Sequence, residues 1–204
     1  MAEDAASNDN METLENFGWF VAESTQKLEL NDSEKEAFLT GVKNALNNEG
    51  GPEDKQAAAM QVQQYLQTRF NSIQEAETKS FFEELAKNPN VKQSPSGLYY
   101  EIIEEGDATK AGEADSVKVN YKGSLIDGTV FDSSYKRGQP ATFPVAGVVP
   151  GFGEGVRLVG AGGKVKLYIP GNLGYGPRPP QGSQIPPNGT LIFEVEMIEV
   201  NPGS

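Results

Sequence analysis

The residues in this chain that could do chemistry are aromatic side chains placed beside polar loops. Six of them fall at the ends of predicted strands or on one short predicted helix: Tyr121, Phe131, Phe143, Phe152, Tyr175 and Phe193. A proline-rich loop follows from Pro177 to Pro187, and loops of that length in a compact domain usually have a function. Residue types alone leave two interpretations open, a plain hydrophobic core or an apolar pocket for a ligand.

Two residue types are missing, which excludes most familiar catalysts. The 204-residue sequence has neither cysteine nor histidine. Without cysteine there is no disulfide, thiolate nucleophile or cysteine-ligated zinc. Without histidine there is no Ser-His-Asp triad, and the commonest general base is absent. We therefore predict no cofactor and no metal, and an activity that depends on carboxylates, lysine, tyrosine, backbone dipoles or shape.

The net charge of −12 argues against nucleic acid as a partner, because such proteins present a basic face. No apolar run approaches the roughly 18 residues of a membrane span, so we predict none. Residues 1–10 are polar and acidic, without the charged-then-apolar layout of a signal peptide. The sequence thus suits a cytoplasmic protein or a mature chain whose signal has been removed.

Two patterns imitate catalytic motifs. Glu194 and Glu196 share one face of a predicted strand, as the carboxylate pair of a glycosidase would. Lysine and glutamate recur on the polar faces of these strands, which favours a solvated face, and a carboxylate hydrolase is kept as an alternative. Residues 160–164 resemble a phosphate-binding loop, but Leu158 replaces its first glycine and Val165 its Ser or Thr.

Short strands in the second half must position the aromatic residues. Apolar and polar residues alternate at 117–121, 165–169 and 191–197, as in half-buried strands. Asp127-Gly128 predicts a hairpin turn. We predict an α+β fold, with a C-terminal antiparallel β half-barrel wrapped on one short helix that carries Phe152.

The first half has a helical pattern. Leu14, Phe17 and Val21 recur at helical spacing, and residues 31–33 resemble a helix cap. A third helix is predicted from Pro52 to Asn88, about 36 residues or roughly 54 Å. Its apolar residues are sparse between Ile73 and Phe81, which predicts an exposed stalk in its second half.

These helices cannot close a core by themselves. We therefore predict that two copies complete one core, and the alternative is that the helices fold back on the C-terminal domain. The predicted division is an all-α dimerisation region at 1–52, a long stalk helix and linker at 53–96, and the C-terminal domain at 97–204.

Four motifs of the second half closely resemble the signature of the FK506-binding-protein (FKBP) type of peptidyl-prolyl cis/trans isomerase. In chain order they are VNYKGSLIDGTVFDSS (119–134), GVVPGFGEGVRLV (147–159), LGYG (173–176) and IPPNGTLIFEVEMIEV (185–200). They cover nearly all of the second half. The first half, with NFGWFVAES from Asn16 onward, is similar to the dimeric bacterial members related to macrophage infectivity potentiators.

The resemblance implies a pocket for a proline ring. Its implied walls are Tyr121, Phe131, Phe143 and Phe193. Phe152 would form the floor, Val148 would line one rim, and Ile185 would cover the ring from the proline-rich loop.

The resemblance also implies polar contacts at this pocket. The backbone N–H of Val149 would donate to a ligand carbonyl, and the Tyr175 hydroxyl to a substrate carbonyl. Asp132 would accept a hydrogen bond from a ligand and be held by Arg137 and Tyr121.

The implied function is catalysis of X-Pro isomerisation in folding proteins, with chaperone-like binding of clients by a homodimer formed through the N-terminal helices. FK506- or rapamycin-type macrolides are the implied small-molecule ligands. The alternative is a non-catalytic proline-binding chaperone module. Because relatives with this stalk are often exported, we expect a periplasmic or cell-envelope location for a mature chain lacking its signal, with a cytoplasmic location as the alternative.

Overall fold

The computed structural model describes residues 2–202, which form two compact units with a boundary between Ala76 and Glu77. The N-terminal unit is helical and the C-terminal unit is built on an antiparallel sheet. The predicted α+β class, with helices preceding the sheet, is confirmed. The three-part division of the chain at residues 52 and 96 stays a prediction.

Three α-helices lie within residues 2–85: α1 (Ala2–Glu23), α2 (Asp32–Leu46) and α3 (Lys55–Leu85). The predicted cap before α2 is present. Asn31 accepts from the Glu34 N–H at 3.0 Å, and the Glu34 carboxylate accepts from the Asn31 N–H at 2.8 Å. This reciprocal pair satisfies two N–H groups at the helix start that have no partner inside the helix.

The third helix starts later than predicted, at Lys55 and not at Pro52. Asp54 Oδ1 accepts from the N–H groups of Gln56 and Ala57, both at 2.9 Å. A carboxylate cap stabilises the positive end of a helix, so the cap sets the start. The helix also ends at Leu85, before the predicted Asn88.

Within residues 77–202 the C-terminal unit contains seven strands: β1 (Lys92–Gln93), β2 (Tyr99–Glu104), β3 (Ser116–Ser124), β4 (Val130–Ser133), β5 (Ala141–Pro144), β6 (Lys164–Ile169) and β7 (Leu191–Val200). They pair antiparallel in the order β1-β2-β6-β7-β3-β4, and β5 also pairs with β3. The hairpin turn predicted at Asp127-Gly128 is present, with Gly128 at φ 85°. Its Leu125 N–H donates to the Thr129 carbonyl at 2.9 Å.

Two short helices interrupt the strands, α4 (Ser134–Arg137) and α5 (Pro150–Val156). Helix α5 lies very close to the sheet because it has no β-carbon at Gly151 and Gly155. A β-carbon at Gly151 would be 2.5 Å from Ile169 Cγ2, and one at Gly155 would overlap the Leu167 side chain. The inner face of the sheet thereby closes over α5, and Phe152 and neighbouring aliphatic side chains form one core.

The end of α3 packs on the outer face of this sheet. The Phe81 ring centroid lies 6.0 Å from that of Tyr168, and Phe82 lies 4.8 Å from Tyr99. The prediction that the second half of this helix is exposed is therefore wrong for its last turns. Adjacent aromatic residues on the helix meet two tyrosines from different strands, and helical periodicity carries no information about those partners.

Candidate functional site

A cavity of about 610 Å³ opens between β3, β4, α5 and the proline-rich loop. Its lining includes every candidate residue except Arg137, namely Tyr121, Phe131, Asp132, Phe143, Val148, Val149, Phe152, Tyr175, Ile185 and Phe193. Arg137 reaches the cavity through its contacts with Asp132 and Tyr121. Residues distant in sequence are thus brought to one place by the sheet and α5.

The floor and walls of the cavity are aromatic rings packed edge to face. Phe152, 4% exposed, lies 5.0 Å from Phe193 and 6.1 Å from both Tyr121 and Phe143, measured between ring centroids. Phe131 meets Phe193 at 5.5 Å with an interplanar angle of 86°. Edge-to-face contacts of this kind hold rings in defined orientations. The result is an apolar cleft with fixed walls.

Helix α5 brings one backbone donor to the rim of the cavity. Val149 is the N-cap residue of α5, and its carbonyl accepts from the N–H groups of Phe152 and Gly153 at 3.0 Å. Within residues 2–202, no hydrogen bond uses the Val149 N–H as donor. Pro150 follows at the first helical position, where a residue without an N–H is favoured. The Val149 N–H is therefore available to a carbonyl that enters the cavity.

Three polar side chains form one network at the β4 side of the cavity. The Tyr121 hydroxyl donates to Asp132 Oδ2, and the Arg137 guanidinium contacts Asp132 Oδ1. Arg137 Nη2 also donates to the Tyr121 hydroxyl at 2.8 Å, and its guanidinium carbon lies 5.4 Å from the centre of the Tyr121 ring. The resemblance implied that Asp132 is held by these two residues, and the structure has those contacts.

Burial and hydrogen bonds in this network shift the pKa values of Asp132 and Tyr121 further from neutral pH. Partial burial raises the pKa of Asp132, but the hydrogen bonds from Tyr121 and Arg137 outweigh it, so the net pKa lies below its ordinary 3.8. Burial, followed by the hydrogen bond to Asp132, raises the pKa of Tyr121 to about 12. Near pH 7 the carboxylate is ionised and the phenol is neutral, so neither group is poised to exchange protons.

Tyr175 stands at the base of the proline-rich loop, with 38% of its surface exposed. Burial, and secondarily the charge of Asp132, raises the pKa of its hydroxyl. The Asn188 N–H donates to the Gly176 carbonyl at 2.7 Å and closes the neck of this loop. Ile185, only 7% exposed, anchors the loop in the core. Both edges of the loop are therefore held while its middle covers the cavity.

Sequence reasoning missed four residues of this site. Gly147, Pro180 and Ser183 also line the cavity, and the first of these is a rim backbone position without a side chain to notice. Gly123 in β3 gives room for the rings of Phe131 and Phe193. A glycine inside an alternating strand often marks a place where other groups approach the backbone closely. The sequence alone could therefore have indicated Gly123.

The carboxylate pair considered for a hydrolase lies on the outer face of β7. Glu194 is within 3.6 Å of the Lys122 ammonium and 3.8 Å of the Lys166 ammonium. Glu196 accepts from Asn120 Nδ2 at 3.4 Å. Phe193, the residue before Glu194 on β7, lines the cavity, and adjacent strand residues point to opposite faces. These glutamates form a solvated, cross-strand polar face away from the cavity.

Comparisons with known proteins agree with this geometry. The family described as FKBP-type peptidyl-prolyl cis-trans isomerase matches residues 107–198. The one described as the domain amino terminal to FKBP-type peptidyl-prolyl isomerase matches residues 13–102. The two matches together cover most of the chain.

Two bacterial proteins are among the relatives of this chain. The chain is 39% identical over 178 residues to the FKBP-type peptidyl-prolyl cis-trans isomerase FkpA of Escherichia coli strain K12, covering 83% of this chain and 65% of that protein. It is 46% identical over 125 residues to the outer membrane protein MIP of Legionella longbeachae, covering 61% of this chain and 53% of that protein. The chain thus spans between about half and two thirds of the length of these two relatives.

A solved structure extends the likeness to nearly the full length. The crystal structure of FkpA from Escherichia coli superposes with a TM-score of 0.61 at 35% sequence identity, covering 98% of this chain and 96% of that one. The match includes the helical N-terminal region as well as the sheet. This chain belongs to the family of FKBP-type peptidyl-prolyl cis-trans isomerases.

Proposed function

We propose that this protein is a peptidyl-prolyl cis/trans isomerase that accelerates rotation about X-Pro bonds in folding proteins. One observation carries the proposal: the apolar cavity is flanked by two donors, the Val149 N–H and the Tyr175 hydroxyl, that make no hydrogen bond within residues 2–202. A proline ring fits the aromatic floor, and the carbonyls on either side of the ring meet the two donors. FKBP-type isomerases among its relatives support the same reaction.

The chemistry needs no nucleophile, metal or proton transfer. Rotation of an X-Pro amide is opposed by a resonance barrier of roughly 18–20 kcal/mol. The planar amide is more charge-separated than the twisted one, so an apolar cavity favours the twisted form relative to water. Phe152 and Phe193 are almost completely buried and exclude water from that surface. Stabilising the twisted form by about 5 kcal/mol accelerates rotation several thousand-fold.

The polar residues orient the substrate in this mechanism. The Val149 N–H and Tyr175 hydroxyl restrain the chain on both sides of the rotating bond. Asp132, fixed by Tyr121 and Arg137, offers an ionised acceptor at the same wall. It receives hydrogen bonds from substrates and from macrolides that place a hydroxyl there. FK506- and rapamycin-type macrolides compete with proline-containing polypeptides for this cavity.

The N-terminal unit serves homodimerisation. Helix α1 presents an apolar stripe to solvent, with Leu14 63% and Phe17 66% exposed. Between α2 and α3 lies a second cavity of about 500 Å³, lined almost entirely by apolar atoms of residues such as Leu28, Phe38 and Leu66. Apolar surface on this scale marks an interaction site, and a second copy of the chain supplies the matching stripe.

A dimer explains chaperone-like binding of clients. Two proline-binding cavities in one molecule raise the effective concentration of a second site for any client that occupies the first. Phe17→Glu places a charge in the apolar stripe and is expected to shift sedimentation from dimer to monomer at micromolar concentration. Glu36→Gln, at an exposed position of α2, is the control. A wild-type chain that sediments as a monomer would overturn this part of the proposal.

The proposed location is the bacterial cell envelope. A similar protein is named as an outer membrane protein in Legionella longbeachae. No helix within residues 2–202 is both long and apolar enough to cross a membrane. Fractionation of the native host into cytoplasm, periplasm and membranes tests the location, and recovery in the cytoplasm alone would contradict it.

A protease-coupled assay on a short X-Pro peptide tests the catalytic proposal. We expect the full chain to accelerate cis-to-trans conversion in proportion to its concentration, and a macrolide to inhibit it. Saturable peptide binding without any acceleration would instead identify a non-catalytic proline-binding chaperone module. Magnetisation-exchange measurements on the same peptide separate these outcomes without a protease.

A further inference from the structure

Two positions of β3 beside the cavity, Asn120 and Tyr121, lack a strand partner on one edge. On the edge of β3 away from β7, β5 pairs with Ser116 to Val119 and β4 pairs with Lys122 to Ser124. Tyr121 falls in the gap between these two pairings. A buried backbone N–H without an acceptor is strongly unfavourable, so the gap must be filled by another group.

Ser134 fills this gap with its side chain. Its hydroxyl oxygen accepts from the Tyr121 N–H at 2.9 Å and lies 3.2 Å from Asn120 Oδ1 and 3.3 Å from the Tyr121 carbonyl oxygen. Ser134 has no exposed surface. A hydroxyl both accepts and donates. Ser134 thus accepts from the Tyr121 N–H in place of a strand carbonyl, and it has one proton to donate to the Asn120 side chain or the Tyr121 carbonyl.

The helix α4 that begins at Ser134 ends at Arg137, three residues later. Residues at this spacing lie on the same face of a helix. Ser134 contacts the backbone of Tyr121, and Arg137 contacts its hydroxyl and its ring. Helix α4 therefore contacts Tyr121 twice, through Ser134 at its start and through Arg137 at its end.

We propose that Ser134 is a positioning residue for isomerisation: it replaces the missing strand partner of Tyr121 and thereby holds that ring and its hydroxyl in the cavity wall. This inference rests on the proposed isomerase function. The Tyr121 ring centroid is 5.7 Å from that of Phe143 and 6.1 Å from that of Phe152. A displaced Tyr121 backbone would alter both contacts, along with the hydrogen bond to Asp132.

The test compares Ser134→Ala with Ser133→Ala in the full chain. Both remove one hydroxyl from adjacent, buried serines. Ser133 caps α4 by accepting from the Lys136 N–H at 3.4 Å, and within residues 2–202 no hydrogen bond joins its side chain to Tyr121. In Ser134→Ala we expect kcat/KM on an X-Pro peptide to fall about tenfold, since a buried donor is left without a partner. In Ser133→Ala we expect a change of no more than about twofold.

Amide hydrogen exchange of Tyr121, followed by NMR, separates positioning from general loss of stability. Faster exchange confined to Tyr121 and its neighbours, at a temperature where the variant is fully folded, supports the proposal. Unchanged Tyr121 exchange, or a kcat/KM equal to that of the wild type, overturns it. Because amide exchange does not depend on isomerase activity, it still tests the role of Ser134 if the wild-type protein is inactive. An inactive wild-type protein would contradict the proposed function alone.

Ser134→Cys covers the case in which the alanine variant does not fold. The thiol nearly conserves volume but is a weak hydrogen-bond acceptor. We expect a folded protein with faster Tyr121 exchange and a threefold loss of kcat/KM, about half the alanine effect on a logarithmic scale. Wild-type values for both quantities would overturn the proposal.

Discussion

Gly123 lies against the ring of Phe131: a β-carbon placed on Gly123 would be 2.7 Å from the Cζ atom of that ring. The same β-carbon would be 2.8 Å from Cε1 of Phe193. The edge-to-face pair that walls the cavity therefore exists because β3 has no side chain at this position. A glycine in a strand weakens the strand, and here it leaves room for two rings.

Gly123→Ala is expected to displace Phe131 and open the cavity wall. Because real β-carbons do not approach other atoms this closely, one ring must move, and we expect kcat/KM to fall about tenfold with a smaller change in stability. Gly112→Ala is the control, since its β-carbon would meet the Asp115 carboxyl group at ordinary distances, 3.4 Å to Oδ2 and 3.9 Å to Cγ. Equal activities of the two variants in the X-Pro peptide assay would contradict this role.

Tyr175→Phe removes one hydroxyl that makes no hydrogen bond within residues 2–202. Its loss should therefore affect substrate and not the fold. One hydrogen bond contributes about 0.5–1.5 kcal/mol, so we expect kcat/KM to decrease by about 2- to 12-fold. The melting temperature should stay at the wild-type value. A rate identical to that of the wild type would remove Tyr175 from the proposed mechanism.

Asp132→Asn keeps the shape of the side chain but removes the charge that Arg137 neutralises. Macrolide binding should weaken, because an ionised acceptor forms the stronger hydrogen bond. Substantial isomerase activity should remain, since the aromatic floor is unchanged. Titration calorimetry with a macrolide and the peptide assay measure the two effects, and complete loss of catalysis in folded protein would show that Asp132 does more than orient.

The pH dependence follows from the two shifted groups in the cavity wall. Asp132 has a lowered pKa and Tyr121 one of about 12, and the chain has no histidine. The rate should therefore be nearly flat between about pH 6 and 8. A bell-shaped profile centred near pH 7 would indicate acid–base catalysis instead.

Stability should respond to pH outside that range. The folded pKa of Asp132 lies below its ordinary 3.8, so ionised Asp132 stabilises the fold above that pH. This contribution is lost as the pH falls through the lowered value. Neutral Tyr121 stabilises the fold below its ordinary pKa of 10.0, and this is lost as the pH rises through about 12. Denaturant titrations at acidic and alkaline pH measure both losses, which Asp132→Asn and Tyr121→Phe should reduce respectively.

Two fragments test where the isomerase domain begins. Residues 97–204, the C-terminal domain that the sequence predicts, lack Phe81 and Phe82, which contact Tyr168 and Tyr99. Residues 77–204 retain these contacts and the hydrogen bond from Ser96 Oγ to Glu154 Oε2 at 2.6 Å. The longer fragment should therefore melt at a higher temperature.

Both fragments should keep near-full activity on a short peptide but lose activity on a refolding protein, because neither contains the dimerisation region. Equal melting temperatures would show that the end of α3 does not stabilise the sheet. Full activity of a fragment on the refolding protein would show that the dimer contributes nothing to client binding.

The sequence by itself determined the features that depend on neighbours along the chain. Asn31 is followed three residues later by Glu34, which is enough to form a capping box, and Asp127-Gly128 is enough to form a tight turn. Alternation along 117–121 and 191–197 predicted two strands that are observed. Five of the six aromatic residues that line the cavity also lie within the four motifs, whose order and spacing carry the resemblance.

Tertiary structure alone decided which distant groups meet. Strand β5 gives no alternating apolar pattern that identifies it, and it exists because its backbone pairs with β3. Nothing in the sequence distinguishes Ser134 from other serines. The fold brings its hydroxyl to the gap between β4 and β5, where it accepts from the Tyr121 N–H. Phe81 meets Tyr168 only through the fold. Hydrogen bonds and ring contacts between residues far apart in sequence arise from the packing of whole elements, and local periodicity does not predict that packing.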